Sequence, residues 1–331
     1  MSKYLVAGAG GFIGGHLVKS LLNKGHEVIC ADIKPLNFWF QTFDNCKNYS
    51  LDLKNLNNCE KLTEGVNYIY NLACNMGGMG FIENNKAECM ISVLINTNLL
   101  LAAKKNKVSK FFFSSSACVY NASKQNMTFV EDLKESDAYP AEPEDGYGWE
   151  KLFSERMCRH FMEDYGIESR VARYHNVYGP LGTFDGGREK APAALCRKVI
   201  EAKMSKIKTI DIWGDGEQTR SFMYIDDCIL GTEKIFDSDI REPINLGSNE
   251  QVSINQMVDI IEDIAEIKLK RHYLIDKPKG VRGRSSDNTK IIKHLNWSPS
   301  IDLKTGLEKT FHWIEKTILE DRKEDIKFKK I

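Results

Sequence analysis

Apolar and polar positions follow two distinct periods along the first half of the chain. Short apolar runs at 4–7, 27–31, 66–72, 110–116 and 168–174 read as buried strands, and the longer patterns at 12–22, 84–105 and 148–165 carry the helical period. Strands alternating with helices are the grammar of βαβ units, and near-continuous apolar strands are those covered on both faces. The pattern predicts an α/β fold, a Rossmann-type doubly wound parallel sheet. After Tyr178-Gly179-Pro180 the rhythm loosens. Helical stretches at 191–202, 253–265 and 303–318, separated by Gly- and Asp-rich loops, predict a smaller C-terminal α/β lobe on the carboxyl edge of the sheet. Residues 1–179 are therefore expected to form the sheet domain, with return segments near 221–250, and residues 180–331 the second lobe.

Punctuation at the first strand adds chemistry. Gly8, Gly11 and Gly14 form G-x-x-G-x-x-G between the 4–7 run and the first helical pattern. Glycines there let the backbone turn tightly and approach a pyrophosphate resting on the helix start, with Phe12 and Ile13 in the first turn. Three spaced glycines alone are more often a plain loop. Here the second strand ends at Asp32, where a carboxylate can accept from both ribose hydroxyls of an adenosine and repel a 2′-phosphate, so NAD is expected over NADP. Asp52-Leu53 and Leu72-Ala73, after the next two strands, fall where such folds line the dinucleotide.

Composition removes several classes of partner. The 331-residue chain carries 46 basic and 46 acidic side chains, so no net field draws it to nucleic acid or to a membrane. No apolar run is expected to span a bilayer, and the N-terminus lacks a signal-peptide layout. Nine cysteines without a C-x-x-C pair suggest reduced thiols and a cytoplasmic setting rather than disulfides, and no metal site is expected. His175 has no ligand partner at metal spacing and reads as a packed neighbour.

A second constellation lies at Tyr147-Gly148-Trp149-Glu150-Lys151, or Y-x-x-x-K. On a helix, residues four apart share a face, so the ammonium can hold a ribose and pull the phenol pKa below its ordinary range, giving a proton shuttle. Upstream, strand alternation in FFFSSSACVY is expected to turn Ser116 and Cys118 into the cleft that Tyr147 faces.

Together the glycine loop, Asp32, SSSA-x-VY, Y-x-x-x-K and R-x-F-x-x-x-D-D at residues 220–227 resemble the extended short-chain dehydrogenase/reductase group. The resemblance implies that Ser116 and Tyr147 oxidise a sugar C4 hydroxyl onto NAD, with Lys151 in support. Four further strings, SSSACVY, MGGMGF at 76–81, GGREKAPAA at 186–194 and GVRGRSSD at 280–287, resemble the GDP-mannose 3,5-epimerase branch of that group. That likeness implies a nucleotide-sugar substrate, GDP-mannose, yielding GDP-L-galactose, or GDP-L-gulose by C5 inversion alone. It assigns Cys118 and Lys190 as the acid/base pair, without saying which is the base. It also places Met76, Gly77, Gly78, Asn176, Arg220, Arg282 and Arg284 on the substrate, and implies a homodimer. A C4 ketone acidifies the hydrogens on C3 and C5, and inversion needs one group on each face of the ring. A thiol and an amine suit that task, and a positive Lys190 is expected to favour the thiolate. The rival readings are a C4-epimerase or 4,6-dehydratase of another nucleotide sugar, and a non-catalytic NAD-binding protein.

Overall fold

The computed structural model describes residues 1–328, with side chains through residue 320. The chain opens with β1 (Lys3–Ala7), β2 (Glu27–Asp32), β3 (Lys47–Ser50), β4 (Tyr68–Asn71), β5 (Lys110–Ser116) and β6 (Glu168–Tyr174). Three short strands follow, β7 (Asn176–Tyr178), β8 (Thr209–Trp213) and β9 (Thr219–Tyr224), before β10 (Ile244–Leu246). Among the described residues β10 joins the first six in a seven-stranded sheet of order β10-β6-β5-β4-β1-β2-β3, with every neighbour parallel. The order reverses between β1 and β4, which opens a crevice at the strands' carboxyl ends. A second sheet centres on β9, flanked by β7, β11 (Gln251–Ser253) and β13 (Gly283–Arg284), and β8 pairs with β12 (Lys270–Leu274).

Burial on both faces follows from the pleat. Along β1, Tyr4 and Val6 enter one core cluster while Leu5 and Ala7 enter another, and on β5 Phe112 is divided in the same way from Phe111 and Phe113. The first cluster continues under the helices Ala191–Ser205, Ile254–Ala265 and Leu303–Phe328, so the second lobe shares a core with the sheet.

Two local expectations change. The pattern at 84–105 is three pieces, Met79–Asn84, Lys86–Met90 and Val93–Lys105, interrupted at Asn85, whose φ of −133° leaves the helical region. Residues 86–105 are also apolar enough for a membrane span by length and composition, with mean hydropathy 1.2. Much of that apolarity serves the sheet: Leu99, Leu100, Ala102 and Ala103 are fully buried, and Asn96 accepts a hydrogen bond from Asn71 at 3.0 Å.

The helix Tyr147–Tyr165 is locked to the sheet by a buried ion pair. Arg173 on β6 donates from Nε and Nη2 to the two oxygens of Glu155, at 2.9 and 2.8 Å, and Ser115 on β5 donates to the same carboxylate at 2.5 Å. Both partners are about 3% exposed, so removing one strands the other charge out of water. Glu155→Ala is expected to lower unfolding free energy by about 3–5 kcal/mol in urea titration. A loss below about 1 kcal/mol would show that this pair does not fix the helix.

Candidate active site

Where the sheet order reverses, β1 runs into a loop that only glycine can form. Gly8 has φ of +85° and donates to Ala31 O at 2.8 Å. A Cβ on Gly14 would stand 2.0 Å from Gly8 O, so the first helical turn presses directly on the loop. Gly11 begins the helix Phe12–Asn23 without a side-chain cap, which leaves the first-turn donors at Phe12 and Ile13 for an anion. Leu72 donates to Ala7 O at 2.9 Å, and Ala73 N lies 2.9 Å from where a Gly8 Cβ would be. Asp32 ends β2, buried, with Oδ1 accepting from Lys34 N at 3.0 Å. Leu53 is buried beyond β3, and Asp52 accepts from Lys54 N at 2.8 Å. A cradle that any Cβ would fill, an uncapped helix start and a carboxylate at the next strand end together fit a dinucleotide. The segment after Asp32 wraps this loop: Lys34 Nζ donates to Gly10 O at 2.9 Å, and the Trp39 ring lies against Gly10.

Beyond the loop lies a cavity of about 340 Å³ lined by Ser116, Cys118, Tyr147 and Lys190, with Met76, Gly77, Gly78, Asn176, Arg220 and Arg284 around them. Ser116 arrives at the end of β5, as the sequence predicts. Cys118 does not arrive by strand alternation. Residues Ala117–Val119 form a 3-10 turn, and Ser116 Oγ accepts from Cys118 N at 3.2 Å, which holds the thiol in the cavity. Lys190 is delivered by two loops clasped together. Gly78 N donates to Arg188 O at 3.1 Å, Arg188 donates to Asn75 and Met76 O, and its guanidinium stacks over Phe81 at 3.8 Å.

Charge in the cavity departs from the sequence reading in three places. Lys151 is fully buried, 3.7 Å from the Glu150 carboxylate and 5.5 Å from the Tyr147 ring centre, so a neighbouring anion offsets its charge. Burial then pushes the Tyr147 phenol well above its ordinary range, helped by Cys74, Cys118 and Glu150, while Ser116 opposes the shift. The Cys118 thiol is likewise pushed up to about 11, by burial first and by Glu144 second, against the Arg284 guanidinium. Lys190 does not reverse this, because burial lowers its own pKa.

On the substrate side, β13 pairs with β9 so that Arg284 stands beside Arg220. Burial next to Arg284 pushes Arg220 down to about 10, the mark of a cation short of negative partners. Its fork donates to the carbonyls of Thr219 and Val281 at 2.7 and 2.6 Å. Asn176 donates to Ser221 O at 3.2 Å. Arg282 is not part of this group: it is ion-paired with Asp215 at 2.7 Å and does not line the cavity. His175 is buried against Asn245 Oδ1 at 3.1 Å, and among the described residues no cluster of ligating side chains could hold a metal.

Three further groups enter the site without a sequence motif to announce them. Cys74 lies beside Tyr147 and Lys151, Gln218 lines the cavity with its Oε1 unpartnered, and Glu144 meets Arg284 and the Cys118 thiol. Only the position of Glu144, three residues before Tyr147, hints at its place.

Residues 4–247 match the profile of the NAD dependent epimerase/dehydratase family. The chain belongs to that family. This epimerase is 47% identical to GDP-mannose 3,5-epimerase 1 of Oryza sativa subsp. japonica, across 97% of its own length and 84% of the rice protein's. Its fold matches that of UDP-glucose 4-epimerase from Thermotoga maritima with UDP-glucose, at a TM-score of 0.86 and 25% identity, over 96% of this chain and 99% of the other. UDP-glucuronic acid 4-epimerase from Bacillus cereus, in complex with UDP-glucuronic acid and NAD, gives 0.81 and 28%, over 95% and 99%. The activity is thus that of a nucleotide-sugar epimerase.

Proposed function

We propose that this epimerase acts on GDP-mannose and exchanges the hydrogens at both C3 and C5, giving GDP-L-galactose, with GDP-L-gulose formed when C5 alone inverts. The observation that carries the reading is one cavity shared by two sets of groups, Ser116 with Tyr147 and Cys118 with Lys190. A plain C4-epimerase has no use for the second set. NAD, held by the loop of Gly8, Gly11 and Gly14 and by Asp32, would supply reversible hydride chemistry at C4. Asp32 favours NAD over NADP because a carboxylate at the β2 end repels a 2′-phosphate. Tyr147 takes the proton of the C4 hydroxyl, Ser116 holds that oxygen, and the buried Lys151 orients the helix face and the ribose. Cys118 and Lys190 then work on the carbons flanking the C4 carbonyl. Arg220 and Arg284, side by side on adjacent strands, give the cavity the positive charge that a diphosphate needs, while their own donors are held by the surrounding protein. Arg282 shapes their loop through Asp215.

The reading extends to assembly as a homodimer. Leu94 and Leu101 on the helix Val93–Lys105, and Trp149 and Phe153 on the helix Tyr147–Tyr165, are 40–57% exposed, an apolar face that a second copy would cover. Sedimentation velocity is expected to give twice the chain mass, and Leu94→Glu with Phe153→Glu to halve it. A monomeric parent protein would sink this part of the proposal.

Incubation with GDP-mannose in deuterated water is expected to place deuterium at C3 and C5, and cofactor released from the same preparation by denaturation to be NAD. A C4-epimerase would incorporate no solvent label, and a 4,6-dehydratase would give a 6-deoxy-4-keto sugar. Double label with a different GDP-sugar and none with GDP-mannose would keep the chemistry and replace the substrate.

A further inference from the structure

The segment between β2 and β3 is a strap laid across the glycine loop. From it Lys34 Nζ donates to Gly10 O at 2.9 Å, and Trp39 Nε1 donates to Lys34 O at 2.9 Å. The indole lies 2.6 Å from where a side chain on Gly10 would begin, and Gln41 Nε2 lies 2.9 Å from the same position on Gly15. Both glycines belong to the loop and first turns that cradle the dinucleotide. The strap must therefore lift before the loop beneath it can move.

Each end of this strap carries a thiol. Cys30 sits on β2, two residues before Asp32, and is 1% exposed. Cys46 lies just before β3 and is half-buried, between the exposed Asn45 and Lys47. The two sulfurs, 16 residues apart in sequence, stand 3.5 Å from each other. A turn holds Cys46 in this direction: Asn48 Nδ2 donates to Phe43 O at 3.0 Å, and the Cys46 thiol donates to the same carbonyl at 3.3 Å. All nine cysteines are free, and among the described residues no other two thiols hydrogen-bond to each other.

We propose that Cys30 and Cys46 are a disulfide-forming site whose oxidant is a low-molecular-weight disulfide, and that the bond staples the strap over the dinucleotide cradle. The cradle clause rests on the reading of that loop as the NAD site. The thiol chemistry does not.

Proximity favours this pair where intrinsic reactivity does not. Burial raises both thiols above their ordinary range, so thiolate is scarce at either sulfur and attack on an external disulfide is slow. Cys46 is the partner that a solute can reach. Its thiolate attacks one sulfur of the external disulfide RSSR, the S–S bond breaks, and one RS⁻ leaves. The Cys30 thiolate then attacks the Cys46 sulfur of the mixed disulfide and expels the second RS⁻. The two leaving thiolates take up the two protons released by the protein. Two protein S–H bonds are lost, one S–S bond forms, and RSSR gains two electrons as 2 RSH. Because the second step joins groups already in contact, it outruns capture of the mixed disulfide by another external thiol. The movement that brings the sulfurs together falls on the Cys46 turn, since Cys30 is paired in the sheet with both β1 and β3.

Incubation of the holoenzyme with glutathione disulfide, a quench with iodoacetamide and tryptic mass spectrometry test the bond. Trypsin spares the Lys34–Pro35 bond, so one peptide, residues 25–47, carries both cysteines and no others. That peptide is expected to lose two hydrogens and take no alkyl group, and to recover both thiols with dithiothreitol. A lasting glutathione adduct at Cys46, or two alkylated cysteines at the end of the incubation, overturns the proposal. The staple is read separately, as release of NAD from washed holoenzyme. Oxidised protein is expected to release it more slowly, by about threefold or more. Cys46→Ser given the same oxidant should release it at the rate of the reduced parent. Equal release by oxidised and reduced parent overturns the staple, and slowing that persists in Cys46→Ser overturns it as well, by assigning the effect to another thiol. A preparation that holds no dinucleotide would sink the NAD reading and the staple with it, and leave the disulfide standing.

Discussion

A backbone contact between two segments sets the geometry on which everything else depends. The carbonyl oxygen of Cys118 lies 2.3 Å from where a side chain at residue 148 would begin, so the thiol turn and the start of the Tyr147–Tyr165 helix can meet only over Gly148. Glu144 fastens the same junction with hydrogen bonds to both sides. Because Ser116 and Cys118 come from the end of β5 and Tyr147 from the helix, this contact puts all three side chains on one cavity wall. The buried Glu155–Arg173 pair then holds the helix at a fixed height on the sheet. The site is over-determined by interactions that do not touch the substrate, as a preorganised cavity requires.

The opposite wall is held less tightly. Lys190 depends on two glycine-containing loops clasped through Gly78 and Arg188, whose hydrogen bonds are surface ones, apart from the stacking of Arg188 on Phe81.

How much of this was legible depends on the range of the interaction. The glycine loop, Asp32 and Y-x-x-x-K are local patterns, and each sits where spacing alone would put it. The parallel sheet followed from apolar runs, although the three-part break at Asn85 was hidden because a capping asparagine looks like any polar residue inside a helical pattern. Cys118 reaches the cavity for a reason other than strand alternation, since the 3-10 turn at Ala117 is set by the Ser116 side chain. Arg282 could not be separated from Arg284 by sequence, because the partner that withdraws it, Asp215, lies on a distant loop. The same limit hid the charge balance: burial raises both the Tyr147 phenol and the Cys118 thiol, with Glu150 and Glu144 adding to it, so the pKa directions inferred from single cations reversed.

The account's central claim is that one cavity performs two separable operations, oxidation at C4 by Tyr147 and proton exchange by Cys118 with Lys190. Mixing Cys118→Ala with GDP-mannose while recording both the near-ultraviolet absorbance of reduced nicotinamide and the deuterium content of the recovered sugar tests it most directly. The account predicts that the absorbance develops while solvent label stays out of C3 and C5, and that Tyr147→Phe shows neither signal. Normal labelling by Cys118→Ala would contradict it, because the thiol would then be a packing residue and the two operations would not divide between these groups.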